Sequence, residues 1–185
     1  NKTKQLMQKN LFFISFALLA MVSCVQQESK QESHVYVIST NDMHANIEVM
    51  PRLATLVEEF ETLGEVLLVD SGDRVTGNAY VDDDAEPGIP MVKLMNEVGY
   101  DVVTLGNHEF DNGLEELSRR LKNLKAPVLC ANYDFSGTPL EGQIRPYAIM
   151  EKSGKRIGII GLLTDVSSVV SSEIAKSLKY SSSIE

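Results

Sequence analysis

Three short stretches of the sequence carry side chains that could bind metal ions and move a proton. They are Thr40-Asn41-Asp42-Met43-His44, Asp70-Ser71-Gly72-Asp73-Arg74 and Gly106-Asn107-His108-Glu109-Phe110-Asp111. Mixed oxygen and nitrogen ligands of this kind suit hard or borderline divalent ions such as Mn²⁺, Zn²⁺ or Fe. Alone, Asp42 and Asp73 would more often be turn or capping residues, and His44 would more often be a surface or core histidine. Their combination favours a metal site.

The spacing within these stretches suggests how two metal ions could be held. Asp42 and His44 are two residues apart, so an extended backbone would place both on one side, where they could bind one ion. Asp73 follows a glycine that permits a tight turn, and its two oxygens could bridge two ions. Asn107 could offer its carbonyl oxygen to the second ion. A two-metal site of this type can bind a phosphoryl oxygen and activate a bridging water.

The third stretch also contains a candidate proton donor. Asp111 lies three residues after His108 and could bind the second ring nitrogen, which would fix the tautomer and raise the pKa of the imidazole. His108 could then protonate a leaving alkoxide as a general acid. Asp111 could alternatively cap the helix that begins near Gly113. We expect Glu109 to stabilise its loop and Arg74 to form a surface ion pair.

Alternating apolar patterns predict the elements that position these side chains. Short β-branched runs predict strands at 35–39, 66–69, 102–105 and 127–131, and helical spacing predicts helices at 53–63, 91–98 and 113–124. Residues 144–150 and 156–163 resemble a hairpin around Lys152-Ser153-Gly154-Lys155. This order predicts an α/β fold with a layered, largely parallel β-sheet flanked by helices.

Every predicted strand of the parallel core is followed by polar residues of the ligand type. In parallel sheets the carboxyl ends of the strands share one edge, which is where ligands bind. The intervals between Asp42, Asp73 and Asn107 each fit one strand-helix-strand unit of roughly 30 residues. We therefore expect the three stretches to be neighbours in space.

Taken together, the motifs resemble the first three blocks of the calcineurin-like metallophosphoesterases. These blocks are Asp42-Met43-His44, Gly72-Asp73 and Gly106-Asn107-His108-Glu109. The fuller forms Thr40-Asn41-Asp42-Met43-His44 and Gly106-Asn107-His108-Glu109-Phe110-Asp111-Asn112-Gly113, with Asn132-Tyr133-Asp134, resemble the 5′-nucleotidase family more narrowly. The resemblance spans roughly residues 35–165.

This resemblance implies roles for individual residues. Asp42 and His44 would bind the first metal ion, Asp73 would bridge, and Asn107 would bind the second, while His108 with Asp111 would form the catalytic pair. A further residue, Asn132, is a weaker candidate for substrate binding. The implied cofactors are two divalent metal ions, and the implied activity is hydrolysis of phosphate monoesters, most naturally 5′-nucleotides.

The sequence departs from the family pattern in two ways. Ala45 stands where the family usually has glycine, so its methyl group could narrow the approach to metal or phosphate. No histidine follows His108, whereas the family completes its site with later histidine blocks and a C-terminal nucleotide-recognition domain. We therefore expect residues 35–185 to be the N-terminal part of the metallophosphoesterase domain, truncated before the last metal-binding blocks and weakly active or inactive alone.

The first 34 residues resemble an export signal and a tether. Lys2, Lys4 and Lys9 precede an apolar run from Leu11 to Val22, which predicts a signal peptide of the lipoprotein type over residues 1–23. Cys24 would be lipidated, and residues 24–34 would form a polar tether. An ordinary signal peptide cleaved nearby, or an uncleaved anchor, remains an alternative. The expected location is the periplasmic or cell-surface side of a bacterial membrane.

The net charge of the chain limits the partners that are expected. The formal net charge of −9 offers no basic surface for a phosphate backbone, so nucleic acid is not an expected partner.

Two alternative functions stay open. One is a cyclic-nucleotide phosphodiesterase or another metallohydrolase on the same scaffold, and the other is a non-catalytic lipoprotein with a half metal site.

Overall fold

A computed structural model describes residues 34–182 of the protein, which form an α/β fold. The strands are β1 (Val35–Thr40), β2 (Glu65–Asp70), β3 (Val102–Thr104), β4 (Val128–Leu129), β5 (Tyr133–Asp134), β6 (Ile144–Arg145), β7 (Tyr147–Lys152), β8 (Lys155–Ile160) and β9 (Lys179–Tyr180). The helices are α1 (Met50–Glu61), α2 (Ala79–Asp82), α3 (Ile89–Val98), α4 (Gly113–Asn123) and α5 (Ser172–Ser177). Single 3₁₀ turns lie at Ile47–Val49 and His108–Phe110.

The central sheet is parallel and has the order β1-β2-β3-β4-β6. Its longest pairing joins β1 to β2, with Val35 opposite Glu65 and Thr40 opposite Asp70. Because every strand of this sheet runs in the same direction, the loops that follow β1, β2 and β3 leave from one edge. The predicted fold class, a parallel sheet flanked by helices, is confirmed.

The hydrophobic core lies between this sheet and the helices that connect its strands. Strand β2 is apolar on both faces and contributes Val66, Leu67 and Leu68 as buried residues. Helix α4 buries Leu114, Leu117 and Leu121, the stripe that its helical spacing predicts. This packing gives the loops at the sheet edge a rigid base.

Two helices begin earlier than their apolar spacing predicts. Helix α1 begins at Met50 rather than Leu53, and helix α3 begins at Ile89 rather than Met91. In both cases a proline occupies the first turn. Proline is favourable there because its missing N–H would have no partner and its φ angle is already helical.

The predicted hairpin is present, but its first strand is divided. Strands β7 and β8 pair antiparallel, with Tyr147 opposite Ile160, whereas Ile144 and Arg145 form β6 and join the central sheet. The break falls at Pro146, which has no N–H to continue a ladder.

Some predictions fall outside the described residues. The signal peptide over 1–23, the lipidation of Cys24 and nearly all of the 24–34 tether are among them. Within residues 34–182, no helix is both long and apolar enough to cross a membrane.

Candidate functional site

The loops after β1 and β2 are joined through their backbones. Asp42 donates its N–H to the Gly72 carbonyl oxygen at 3.1 Å, and His44 donates to the Asp73 carbonyl oxygen at 2.9 Å. These bonds extend the pairing of β1 and β2 past their carboxyl ends. They therefore fix His44 beside Asp73, as the sequence spacing predicts.

The backbone around Asp42 and His44 is not extended, and that expectation was wrong. Asp42, His44 and Ala45 have φ angles of 50°, 45° and 55°, in the left-handed region that favours glycine. Ala45 is fully buried within the hydrophobic core, so its methyl group packs in the core and does not narrow the site.

A cluster of potential metal ligands forms where the three loops meet. Within residues 34–182, the group consists of His44, Asp73 and His108, and one ligand atom of each lies within 4.8 Å of the others. The two imidazole rings are 4.9 Å apart between centroids. His44 Nδ1 lies 3.2 Å from the Thr76 carbonyl oxygen, a partner typical of a metal-binding histidine that presents Nε2. This donor set fits a divalent cation.

His108 is paired with Asp111 as its spacing predicts. His108 Nδ1 lies 2.8 Å from Asp111 Oδ2, and Thr76 Oγ1 donates to the same oxygen at 3.2 Å. The hydrogen bond to Asp111 raises the pKa of His108 above its ordinary value, which favours the protonated ring. The residue that caps α4 is Asn112, so Asp111 does not serve as the helix cap.

The two remaining predicted ligands flank this cluster. Asp42 is exposed and lies outside the group of close ligand atoms, and Asn41 donates its side-chain amide to the Asp42 carboxylate. Asn107 is half-buried and directly precedes the 3₁₀ turn that contains His108. Their roles as metal ligands stay predictions.

The loops after β2 and β3 approach each other so closely that only glycine fits. A Cβ atom on Gly72, whose φ is 102°, would overlap with the Gly106 backbone, and a Cβ atom on Gly106 would lie 2.5 Å from Asp73 N. Asp73 Oδ1 in turn accepts a hydrogen bond from His108 N at 2.8 Å. The two glycines thus bring Asp73 and His108 into direct contact.

A buried charge network lies beneath the loops. The sequence predicts that Glu109 stabilises its loop, and Glu109 does accept the N–H of Gly106, but the sequence does not predict that the network is buried. The Arg74 side chain is 4% exposed, and its Nε donates to Asp70 Oδ1 at 2.8 Å, so the predicted ion pair forms but is buried rather than at the surface. Glu109 lies 3.7 Å from Arg74 Nη1 and is also buried. Burial alone would raise the pKa of Glu109, but Arg74 and three backbone N–H groups lower it below its ordinary value. The sequence signal that could have revealed this network is that Asp70, Arg74 and Glu109 each lie within three residues of a predicted metal ligand.

The side chain of Asn132 joins two parts of the backbone. Its Nδ2 donates to the Leu163 carbonyl oxygen at 2.7 Å, and its Oδ1 accepts from Leu163 N at 3.0 Å. Asn132 is 5% exposed. This gives it a structural role, and its contact with a substrate stays a prediction.

A cavity adjoins the carboxylate partner of His108. It has a volume of about 520 Å³, which lies in the range of small-molecule sites. It is bounded by the start of α4, by the loop at 137–139 and by α5, with Asp111, Leu114, Pro139 and Ile174 among its lining residues.

Comparisons with known proteins agree with this geometry. Residues 35–176 match the family of the calcineurin-like phosphoesterases. The chain belongs to this family. Proteins similar to it include a probable 5′-nucleotidase of Treponema pallidum, 36% identical over 90% of this chain and 31% of the relative. A 5′-nucleotidase of Vibrio cholerae is 36% identical over 82% of this chain and 29% of the relative.

A solved structure shows the same fold. The 5′-nucleotidase precursor of Thermus thermophilus superposes with a TM-score of 0.70 at 30% identity, covering 80% of this chain and 32% of that one. The chain thus spans about a third of the length of these relatives. The resemblance predicted from the three motifs is confirmed.

Proposed function

We propose that the protein hydrolyses phosphate monoesters, most readily 5′-nucleotides, at a two-metal site. The observation that carries this proposal is the meeting of His44, Asp73 and His108 within 4.8 Å, with Asp111 bound to the ring of His108. Metal ligands and a paired acid held together at one edge of the sheet are suited to the hydrolysis of a phosphate ester.

The proposed ligands are those that the family resemblance implies. Asp42 and His44 would hold one divalent ion, Asp73 would contact both, and Asn107 would hold the second. Bound divalent ions would supply charge stabilisation for the phosphoryl oxygens and an activated water. The mixed donor set suits Mn²⁺, Zn²⁺ or Fe.

The chain's own contribution to bond cleavage is a proton. As the bond between phosphorus and the ester oxygen breaks, His108 would donate the proton of Nε2 to the leaving oxygen. Asp111 binds Nδ1, which orients the ring and raises the pKa of His108. The Asp73 carboxylate, which accepts the backbone N–H of His108, keeps this acid beside the ligands.

The nucleotide preference rests on relatives. The proteins of Treponema pallidum and Vibrio cholerae are named as a probable 5′-nucleotidase and a 5′-nucleotidase. The cavity beside Asp111 has room for a leaving group of nucleoside size. A second candidate is hydrolysis of cyclic nucleotides or of another ester on the same scaffold. A Bacillus subtilis relative, 29% identical over 80% of this chain, is named a trifunctional nucleotide phosphoesterase, which supports more than one activity on this fold.

Phosphate release from a panel of substrates tests the proposal. Because residues 35–185 alone are expected to be weakly active or inactive, the protein would be expressed together with any coding sequence that follows residue 185 in its gene. It would be loaded with Mn²⁺ or Zn²⁺ and given a nucleoside 5′-monophosphate, a cyclic nucleotide and a nucleotide sugar. We expect the monophosphate to be hydrolysed fastest, and removal of metal by a chelator to abolish release until metal is restored. Release that persists after complete metal removal would contradict the proposal, and a preference for the cyclic nucleotide would favour the second candidate.

We also propose the cellular setting that the sequence predicts. Residues 1–23 would direct export, Cys24 would carry the lipid, and a polar tether would connect it to the domain from residue 35. Recognition of the nucleoside would fall to a separate C-terminal domain. Support for this comes from the basic and apolar pattern before Cys24 and from the greater length of the relatives.

A further inference from the structure

The Glu109 carboxylate lies beneath the site and holds two of its loops by their backbones. It is 1% exposed. Its Oε2 accepts N–H groups from Asp73 at 2.9 Å and from Gly106 at 2.5 Å, and its Oε1 accepts from Arg74 N at 3.0 Å. One side chain thereby satisfies three backbone donors that come from the loops after β2 and β3.

The rest of Glu109 and its counter-ion are also fixed. Arg120 Nη2 donates to the Glu109 carbonyl oxygen at 2.6 Å. Arg74 lies against the carboxylate and also donates to Asp70 and to the carbonyl oxygen of Thr104. A buried carboxylate with these partners has little freedom to move.

The bonds made by Glu109 determine where Asp73 and His108 stand. Asp73 has a φ angle of 53°, which an L-residue keeps only when its surroundings hold it there. Glu109 binds the N–H of Asp73, and Asp73 Oδ1 binds the N–H of His108. Glu109 is therefore bonded to Asp73, Asp73 is bonded to His108, and His108 is the neighbour of Glu109 in the sequence.

We propose that Glu109 is a positioning residue that sets the separation of Asp73 and His108 and so determines both metal affinity and proton donation. This rests on the proposed function of the site. Because both of its oxygens face backbone N–H groups, Glu109 would itself contact neither metal nor substrate. It acts by placing a ligand and an acid that belong to different loops.

Replacement of Glu109 by glutamine tests whether Glu109 acts through its hydrogen bonds or only by filling space in the core. Glu109→Gln keeps the shape of the side chain but replaces one oxygen by an NH₂ group. In either orientation this group faces at least one backbone N–H, so a donor meets a donor. The loops must then shift relative to each other although the volume of the core is unchanged.

The test measures metal binding and turnover separately in Glu109→Gln. We expect Mn²⁺ affinity by calorimetry to fall roughly 10–100-fold, as for other partners that orient ligands. At saturating Mn²⁺ we expect kcat to fall at least about tenfold with KM changed less than about twofold. The visible absorption spectrum of Co²⁺-loaded protein should also change, because it reports ligand geometry without any substrate.

A matched control is Glu116→Gln, which makes the same chemical change where Glu116 pairs with Arg119 near the surface. It should leave affinity, spectrum and turnover unchanged. If Glu109→Gln does not fold, Glu109→Asp replaces it, since its shorter carboxylate cannot reach all three donors. Wild-type affinity and Co²⁺ spectrum in whichever of these variants folds would overturn the positioning role. Altered affinity and spectrum in a protein whose wild type releases no phosphate would support positioning and contradict the proposed function.

Discussion

At the scale of single residues, His44 and His108 have different proposed roles, a metal ligand and a proton donor. Each ring has Nδ1 beside an oxygen acceptor, from Thr76 and Asp111. The pairing of His108 with Asp111 could be predicted because it depends on local spacing. The burial of Arg74 could not, because it depends on Glu109, which lies far along the chain and reaches it only through the fold.

Arg74 should be among the residues whose loss is most destabilising. Arg74→Met would leave the buried carboxylates of Asp70 and Glu109 without their cation, which costs about 3–5 kcal/mol of unfolding free energy. The matched control, Arg119→Met, removes exposed ion pairs and should cost less than about 1 kcal/mol. Urea denaturation of both variants checks this, and equal losses would contradict the role given to Arg74.

Tyr100 should make stability depend on pH in the alkaline range. Burial raises the pKa of Tyr100 to about 12, while the Tyr100 hydroxyl lies 2.9 Å from Thr40 Oγ1. Between about pH 10, where an unfolded tyrosine ionises, and about pH 12, the folded state holds the proton and the unfolded state loses it. Unfolding free energy should therefore fall as pH rises through this range.

Tyr100→Phe removes the titrating group and should show a smaller decline. Unfolding by urea at several pH values from 9 upward compares the two proteins, and the difference between their slopes isolates Tyr100 from the other alkaline groups. Parallel curves would contradict the buried, neutral tyrosine.

At the scale of elements, the position of the site at one edge of the sheet could be predicted from the order of strands and helices. Parallel strands predict that the loops after β1, β2 and β3 lie together, and they do. The left-handed turns at Asp42, His44 and Asp73 could not be predicted, since the local sequence is also compatible with an extended segment. They arise because the first two loops pair with each other and the second touches the third at Gly72 and Gly106.

Gly106 should not tolerate even one methyl group. Gly106→Ala would place Cβ against the backbone and carboxylate of Asp73, so we expect a loss of about 1–3 kcal/mol in unfolding free energy and weaker binding of Mn²⁺. The control Gly158→Ala, with nothing within 4 Å of its Cβ, should change unfolding free energy by less than about 1 kcal/mol. Urea denaturation and calorimetry measure both, and normal Mn²⁺ binding by Gly106→Ala would contradict the close packing of these loops.

At the scale of the whole molecule, the site exists only in the folded chain. Its candidate ligands come from loops separated by complete strand-helix-strand units, and the cluster forms when the parallel sheet aligns them. The fold class and family were predictable because three motifs stand at the ends of three predicted strands. The division of the hairpin at Pro146 was not, because the apolar pattern of residues 144–150 is continuous.

Metal binding should therefore stabilise the whole fold. At a free Mn²⁺ concentration of about 100 times Kd, a ligand that binds only the folded state adds about 2.7 kcal/mol, or roughly 5–10 °C in Tm for a chain of this size. Thermal unfolding with Mn²⁺, and again after addition of a chelator, measures the effect. An unchanged Tm at saturating Mn²⁺ would show that the three loops do not form a metal site.

The most direct test of the proposed mechanism is the turnover and metal content of His108→Asn. If His108 is the proton donor rather than a ligand, kcat should fall about 10²–10⁴-fold while Mn²⁺ affinity changes less than about threefold. Phosphate release and calorimetry on the same preparation give both numbers. Turnover equal to that of the wild type with metal bound, or loss of the metal itself, would contradict the assignment of His108 as the acid.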